Sequence, residues 1–334
     1  MCSTRPDEMS AMHRSGPCLP WIRQTLLAVA WLALVPAASA EDAAAWLDRA
    51  ADAAQKQNYV GTIAYQHGGR FETSRLVHLN EQGREYEKLV NLDGPAREVI
   101  RMNGEVRCYF PDTKVIRVEP RTFRNAFPSL SPQQQAALTD FYTFRMAGRE
   151  RVAGIETQAW VFEPRDGLRY GHKFWADPAS GLLVKARIFD ERNETVEQFA
   201  FTEIAIGAKI DREQVKPTWP VTPPDWQVRQ AAPSEDAKDT GWTVTRPPPG
   251  FVKIVDGYRR LRGAREVAHL VYSDGLVAVS VFIEPIGAAA HPFGVSRQGG
   301  INIFVRQQDD NLVTVLGEVP LATVRQIAHS VTRR

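Results

Sequence analysis

The sequence predicts an α+β protein: a large curved antiparallel sheet, an open half-barrel with plug helices, followed by a small α+β C-terminal domain. Three observations carry this expectation. Between Val60 and Ile206, short alternating strands follow one another with turn signals at nearly even spacing, the pattern of a meander. The pattern breaks once into helical signals, between Arg121 and Thr139, before strands resume. Beyond Gly207 comes a stretch rich in proline, and after it a second set of strands that ends in an amphipathic helix.

The first forty residues read as an address. Arg14 and Arg23 give a positive flank, and Leu26–Val35 is an apolar run too short for a comfortable membrane span. Ala38-Ser39-Ala40 has the small-x-small form of a cleavage site, so residues 1–40 are expected to be a signal peptide and the mature chain to be exported. Cys2 and Cys18 leave with that segment. Cys108 then stands alone, which excludes an intramolecular disulfide and a thiolate metal cluster. It lies in VRCYF, a strand-like run, and reads as a buried structural thiol.

Ala43–Lys56 is expected as a helix, with Trp46, Leu47, Ala50, Ala51 and Ala54 near one face. Strands are then expected at Val60–His67, Phe71–Leu79, Glu85–Leu92, Glu98–Met102, Val106–Phe110 and Lys114–Glu119. Gly68-Gly69, Asp93-Gly94-Pro95 and Asn103-Gly104 supply turn chemistry between them. In the helical interruption, Ser131-Pro132 is a helix start, and Phe123, Phe127, Leu130 and Leu138 give an apolar side suited to a lid or plug. Strands resume at Tyr142–Met146, Glu150–Val152 and Gln158–Glu163.

The hairpin Tyr170–Phe189 is the clearest element. Tyr170, His172, Phe174 and Ala176 alternate with Gly171, Lys173 and Trp175; Asp177-Pro178-Ala179-Ser180-Gly181 reverses the chain. On the return, alternation places Leu182, Val184, Ala186 and Ile188 on one side and Leu183, Lys185, Arg187 and Phe189 on the other. Trp175 and Leu183 thus share a face with Lys173, Lys185 and Arg187, too apolar to lie bare in water. That face needs a ligand, a partner or a piece of the same chain over it.

A last strand, Thr195–Ile206, closes the domain expected over residues 41–207. Residues 208–240 read as a Pro-rich linker, and residues 241–334 as the small domain. Its strands are expected at Trp242–Thr245, Phe251–Tyr258, Glu266–Ser273, Leu276–Pro285, Ile301–Gln307 and Asn311–Leu316, and its helix at Leu321–Val331.

The formal net charge is only +2. From Trp242 onward, however, eleven Lys/Arg stand against seven Asp/Glu, and Arg259, Arg260, Arg262 and Arg265 are bunched. No nucleic-acid motif accompanies them, and export argues against nucleic acid. The chain has no HExxH, nucleophile elbow, P-loop or Rossmann fingerprint, and His67, His78, His172, His269, His291 and His329 are scattered. The residues read as those of a binding protein with no catalytic group, no metal and no cofactor.

Several segments carry a resemblance. FWADPASGLLVKARIFD (Phe174–Asp190) resembles the hairpin of the lipoprotein-carrier fold of LolA/LolB and relatives, in which a curved antiparallel sheet wraps an apolar cavity plugged by helices. Asn58-Tyr59-Val60-Gly61-Thr62, Asp93–Arg101 (DGPAREVIR), Phe141-Tyr142, Leu270–Leu276 (LVYSDGL), Arg297-Gln298-Gly299 and Gly317–Val331 together resemble the sigma-E regulatory proteins of the RseB/MucB family. The resemblance implies a soluble periplasmic negative regulator of the envelope-stress sigma factor. Its partner would be the periplasmic domain of a membrane-spanning anti-sigma factor, RseA/MucA-like, which it would shield from regulated proteolysis. Lipid, lipoprotein or LPS signals would release it.

Two sets of candidate residues follow. Tyr65, Leu76, Leu89, Met102, Trp160, Phe174 and Leu183 from the strands, with Phe127 and Leu138 from the plug, are expected to line an apolar cavity for an acylated ligand, a lipoprotein or LPS fragment. The alternation does not decide which face of the sheet lines it. Arg259, Arg260, Arg262 and Arg265 are expected to hold the anti-sigma partner. A periplasmic lipoprotein or lipid carrier is the alternative function, an exported hydrolase a third, and the choice between monomer and homodimer stays open.

Overall fold

The first described element is an amphipathic helix. The computed structural model describes residues 40–102, 104–120, 138–230, 239–260, 266–287 and 293–334. Helix α1 (Ala40–Lys56) buries Ala43, Trp46, Leu47, Ala50 and Ala51 along one stripe, as their spacing of three and four demands. The expected plug, with Phe127, lies outside the described residues. Only the helical residues 138–141 are seen there, and they carry Leu138 into the core.

Two meanders share one sheet. The first runs through β1 (Tyr59–His67), β2 (Arg70–Glu81), β3 (Arg84–Asn91), β4 (Glu98–Met102), β5 (Glu105–Phe110) and β6 (Val115–Pro120). The second runs through β7 (Tyr142–Val152), β8 (Ile155–Pro164), β9 (Gly171–Ala176), β10 (Leu183–Phe189) and β11 (Thr195–Ile206). β11 returns antiparallel to β1, so the first strand sits in the middle of the order β12-β6-β5-β4-β3-β2-β1-β11-β10-β9-β8-β7. Strand β12 (Gln227–Gln230) and β7 occupy the two ends and do not pair with each other. The sheet is open, as expected.

At the β1–β11 seam Gly61 pairs with Ile204, and the register shifts at Thr62/Ile63. A Cβ on Gly61 would collide with the Phe201 ring and the Glu203 carbonyl. Only glycine fits, which gives the NYVGT segment a physical reason.

The turn of the central hairpin is built as its residues require. Asp177 accepts from the Ser180 backbone at 2.9 Å and its hydroxyl at 2.6 Å, and Gly181 takes a φ of +81°. Faces alternate as expected except at one point. The register shifts between Leu183 and Lys185, so Leu183 pairs with Ala176 and joins the Phe174 face, not the Trp175 face. A bulge inverts parity, and alternation alone does not reveal it.

The stretch read as a linker belongs to the large sheet as far as Gln230. Ile210 and Val215 pack on Val77, Leu79 and Tyr86. Trp219 and Trp226 pack on Ile100, Tyr109, Ile116 and Val118, and β12 then extends the sheet parallel to β6. Its prolines signal extended chain, but the four anchoring side chains have no regular spacing, so composition suggested a tether. A buried carboxylate fixes this strap: Glu98 accepts from the Thr218 backbone at 2.8 Å and its hydroxyl at 2.5 Å, with Lys88 Nζ 3.2 Å away.

The small domain pairs β13 (Trp242–Val244) with β20 (Val331–Arg333). Its larger sheet has the order β14-β15-β16-β19-β18-β17: β14 (Val252–Arg260), β15 (Glu266–Ser273), β16 (Ala278–Pro285), β19 (Asn311–Gly317), β18 (Ile301–Gln308) and β17 (Gly294–Gln298). Helix α2 (Leu321–His329) lays Val324, Ile327 and Ala328 on Val279, Val281, Val313 and Val315. Strand β17 was not expected, because its exposed GVSRQ sequence shows no apolar alternation.

Glu98→Ala should cost about 3–5 kcal/mol, since it leaves Lys88 without its buried counter-charge and releases Thr218. Urea unfolding measures the loss, and faster proteolysis at Lys216 should accompany it. Unchanged cleavage at Lys216 would show that the strap does not depend on Glu98.

Candidate ligand face and domain junction

Four of the expected cavity residues meet beneath α1. Leu138, Trp160, Phe174 and Leu183 belong to one buried cluster with Trp46, Leu47, Tyr142 and Phe162. Trp46 stands 5.8 Å from the Trp160 ring, 6.4 Å from Phe162 and 6.2 Å from Phe174. Phe162 meets Phe174 edge-on at 5.4 Å and Phe144 edge-on at 5.0 Å. The helix fills this face. An acyl chain binding here has to take the place of α1 side chains, Trp46 above all.

The other expected residues scatter. Leu76 and Leu89 belong to an adjoining cluster with Tyr59, Leu182, Val184 and Phe201. Tyr65, farther along β1, is half-buried, and burial together with a hydrogen bond to Glu197 raises its hydroxyl well above the phenol range. Met102 is a correction. Val99 pairs with Leu89, so Met102, three residues on, points to the opposite side; it pairs with Tyr86 and is 40% exposed. Phe127 lies outside the described residues. Trp46 and Phe162 were missing from the expected set, although Phe162 has the parity of Trp160 and Trp46 heads the apolar stripe of α1.

His172 lies on the same face, fully buried and stacked on Phe174 at 5.7 Å. Its Nε2 finds no hydrogen-bond partner among the described residues, and burial pushes its pKa down to about 4.

The opposite face solves its apolar problem with lysines. Trp175 is buried between Lys173 and Lys185, each ammonium 4.5 Å from the ring centre. Its Nε1 donates to Glu150 at 2.8 Å, and Lys173 donates to the other oxygen of that carboxylate at 2.6 Å. The Lys173 bond holds Glu150 below the usual carboxylate range, while burial lowers Lys185.

The expected arginines are only partly visible. Arg259 is half-buried on β14, an edge strand, and pairs with Val267 on the face away from α2. The Arg260 side chain, Arg262 and Arg265 lie outside the described residues.

Several segments that carried the resemblance converge instead on the junction between the domains. Tyr142 donates to Asp274 at 3.1 Å, with Arg169 beside it. Asn302 donates to the Tyr170 hydroxyl at 3.1 Å, and the Thr323 hydroxyl donates to the Leu168 carbonyl at 2.6 Å. At the far end, Gly299 takes a φ of +61° and leaves no room for a Cβ against the His67 ring. A polar cleft of about 380 Å³ opens there, lined by Gln66, His67, Asp190, Glu194 and Arg297 among others. Among the described residues, no group of three His, Cys, Asp or Glu could hold a metal ion, and no helix is long and apolar enough to cross a membrane. Arg169 and Asp274 were not among the expected residues, since both sit in loops where no periodicity marks them.

Comparison with known proteins spans both domains. Residues 42–219 match the MucB/RseB N-terminal domain, and residues 236–332 the MucB/RseB C-terminal domain. The chain is 32% identical over 312 residues to the sigma factor AlgU regulatory protein MucB of Pseudomonas aeruginosa, covering 92% of this chain and 96% of that protein. It is 25% identical over 313 residues to the sigma-E factor regulatory protein RseB of Escherichia coli, covering 93% and 97%. The crystal structure of MucB in complex with MucA(peri) matches with a TM-score of 0.68 and 31% identity, over 88% of this chain and 99% of that one. The crystal structure of MucB matches with a TM-score of 0.62 and 30% identity, over 88% and 98%.

The buried imidazole makes stability depend on pH. The folded pKa of His172 lies below the unfolded value, so unfolding takes up a proton between the two. Stability is full above pH 6.5 and is lost as pH falls toward 4. The loss should reach about 3 kcal/mol. His172→Leu should flatten that acid limb in urea titrations run across this range. An unchanged limb would mean that another group causes it.

Proposed function

The chain belongs to the MucB/RseB family of regulatory binding proteins, which are not enzymes, and from that premise we propose that it binds the periplasmic part of a membrane-spanning anti-sigma factor. In doing so it holds an envelope-stress sigma factor in check. One observation carries the reading: the likeness to MucB, solved as a complex with MucA(peri), runs through both domains at 31% identity. The place of action is the periplasm. Binding shields the anti-sigma factor from regulated proteolysis, and an acylated signal ends the shielding.

The apolar face supports the sensing part of this reading. Trp46, Trp160, Phe162 and Phe174 form a site whose natural ligand is an acyl chain, with α1 as its resident cover. The basic small domain supports the partner part. Arg259 lies on an edge strand of the small domain, and Arg260, Arg262 and Arg265 follow it closely in sequence. Exposed ion pairs contribute about 0–1 kcal/mol each, so the charges act together, on association rate more than on affinity.

Fluorescence anisotropy with a labelled periplasmic segment of the cognate anti-sigma factor tests the reading. Saturable binding is expected, and its absence at protein concentrations well above micromolar would refute the proposal. Reversing Arg259, Arg260 and Arg262 to Glu should slow association at low salt, with the difference fading as salt rises. Equal rates across the salt series would remove the arginines from the interface. An acylated peptide should change tryptophan emission and release the labelled segment; emission that stays constant would remove the sensing role from this face.

A further inference from the structure

The two domains meet on a buried charged cluster. Asp274, between β15 and β16, and Arg169, ahead of β9, have side chains 2% and 0% exposed, with Oδ2 and Nε 3.2 Å apart. Arg169 uses each nitrogen differently. Nε donates to Asp274, Nη1 donates to Asp166 at 3.0 Å, and Nη2 donates to the Pro249 carbonyl. The rings of Phe141, Phe251 and Tyr142 lie 4.4, 5.2 and 5.8 Å from the guanidinium carbon.

A buried ion pair ordinarily resists separation because each charge is stranded without the other. Neither charge is stranded here. Through Oδ1, Asp274 caps its own turn, accepting from the backbone N–H groups of Leu276 and Val277 at 3.0 Å each. Arg169 keeps Asp166, Phe141 and Tyr142, all on its own side of the junction. Of the other cross-junction bonds, Tyr142 donates to Asp274, while Asn302 to Tyr170 and Thr323 to Leu168 are between neutral groups that water replaces readily. Glycines stand at two close approaches, Gly250 against the Phe141 ring and Gly68 against Gly299, where the two domains meet most tightly. Burial raises the Asp274 carboxyl above its ordinary range despite its donors, so the closed junction carries a cost that parting relieves.

We propose that this cluster is a reversible latch: Arg169 and Asp274 hold the two domains in one relative orientation, and each domain keeps its own partner for its charge so that they can part. Asp166 sets the balance. In the closed state one guanidinium serves two carboxylates, and Asp166 competes with Asp274 for it. In the open state Asp166 alone satisfies Arg169.

The two carboxylates therefore predict opposite effects. Spin labels at Asp112→Cys in the large domain and Gln307→Cys in the small one, in a Cys108→Ser full-length chain, report the interdomain distance. A urea series kept below global unfolding brings opening into range. Asp274→Asn keeps an acceptor for its turn and removes the charge, so a longer distance should appear at lower urea than in the parent. Asp166→Asn removes the competitor, so the longer distance should appear at higher urea. An unchanged onset in either variant, or a shift of either in the other direction, overturns the latch. If Asp274→Asn fails to fold by circular dichroism, Asp166→Asn, at a part-exposed position, decides alone.

Discussion

A wide open sheet has two faces to keep from water, and the described residues hold little helix with which to do it. The architecture follows from how that problem is met. Apolar side chains left on a solvated sheet face forfeit roughly 25 cal/mol for each Å² not buried, so every apolar strip needs a cover. Helix α1 covers the strip of Trp160, Phe162 and Phe174. The strap after Gly207 covers the other side of the first meander through Ile210, Val215, Trp219 and Trp226. Lysine stems cover Trp175. These covers differ in how firmly they are tied. The strap is fixed by a buried carboxylate and a lysine, whereas α1 is held by ring packing around Trp46 and by neutral hydrogen bonds at its last turn, where Asn80 donates to the Gln55 carbonyl at 2.8 Å. A face covered mainly by packing is one that a ligand of like chemistry can compete for.

Buried carboxylates recur where one part of the chain must be tied to a distant one. Glu98 ties the strap to β4, and Asp274 ties the small domain to the large one. Both accept backbone N–H groups as well as a cation, which keeps them satisfied away from water. Their settings differ in consequence. Glu98 holds a segment together with Lys88, which donates to the Thr218 hydroxyl at 3.0 Å and the Lys216 carbonyl at 2.8 Å. Asp274 sits between two halves that are each self-sufficient in charge, so its bond fixes orientation without welding the halves together.

Much of this was legible in the residues. The hairpin Tyr170–Phe189, the first helix and the first meander follow from period and turn chemistry, whereas Tyr142–Met146 and Glu150–Val152, expected as two strands, form the single bulged strand β7. What was not legible has local causes. The bulge beside Val184 moved Leu183 to the other face, and a parity count across Val99 moved Met102 away from the apolar strip. The strap looked like a tether because prolines dominate its composition and its anchors are irregularly spaced. Arg169 and Asp274 were invisible because a charged residue in a loop reads as solvated until tertiary structure buries it. The segments that carried the family resemblance were the better guide, since several of them come together at the junction.

As a binding protein, the chain is expected to act on one partner with both of its domains. Hydrogen–deuterium exchange of the full chain, with and without a saturating periplasmic segment of the cognate anti-sigma factor, tests it most directly. Slowed exchange is expected in peptides from both the large sheet and the small domain. Protection confined to one domain would contradict joint action, and exchange unchanged throughout would contradict binding itself.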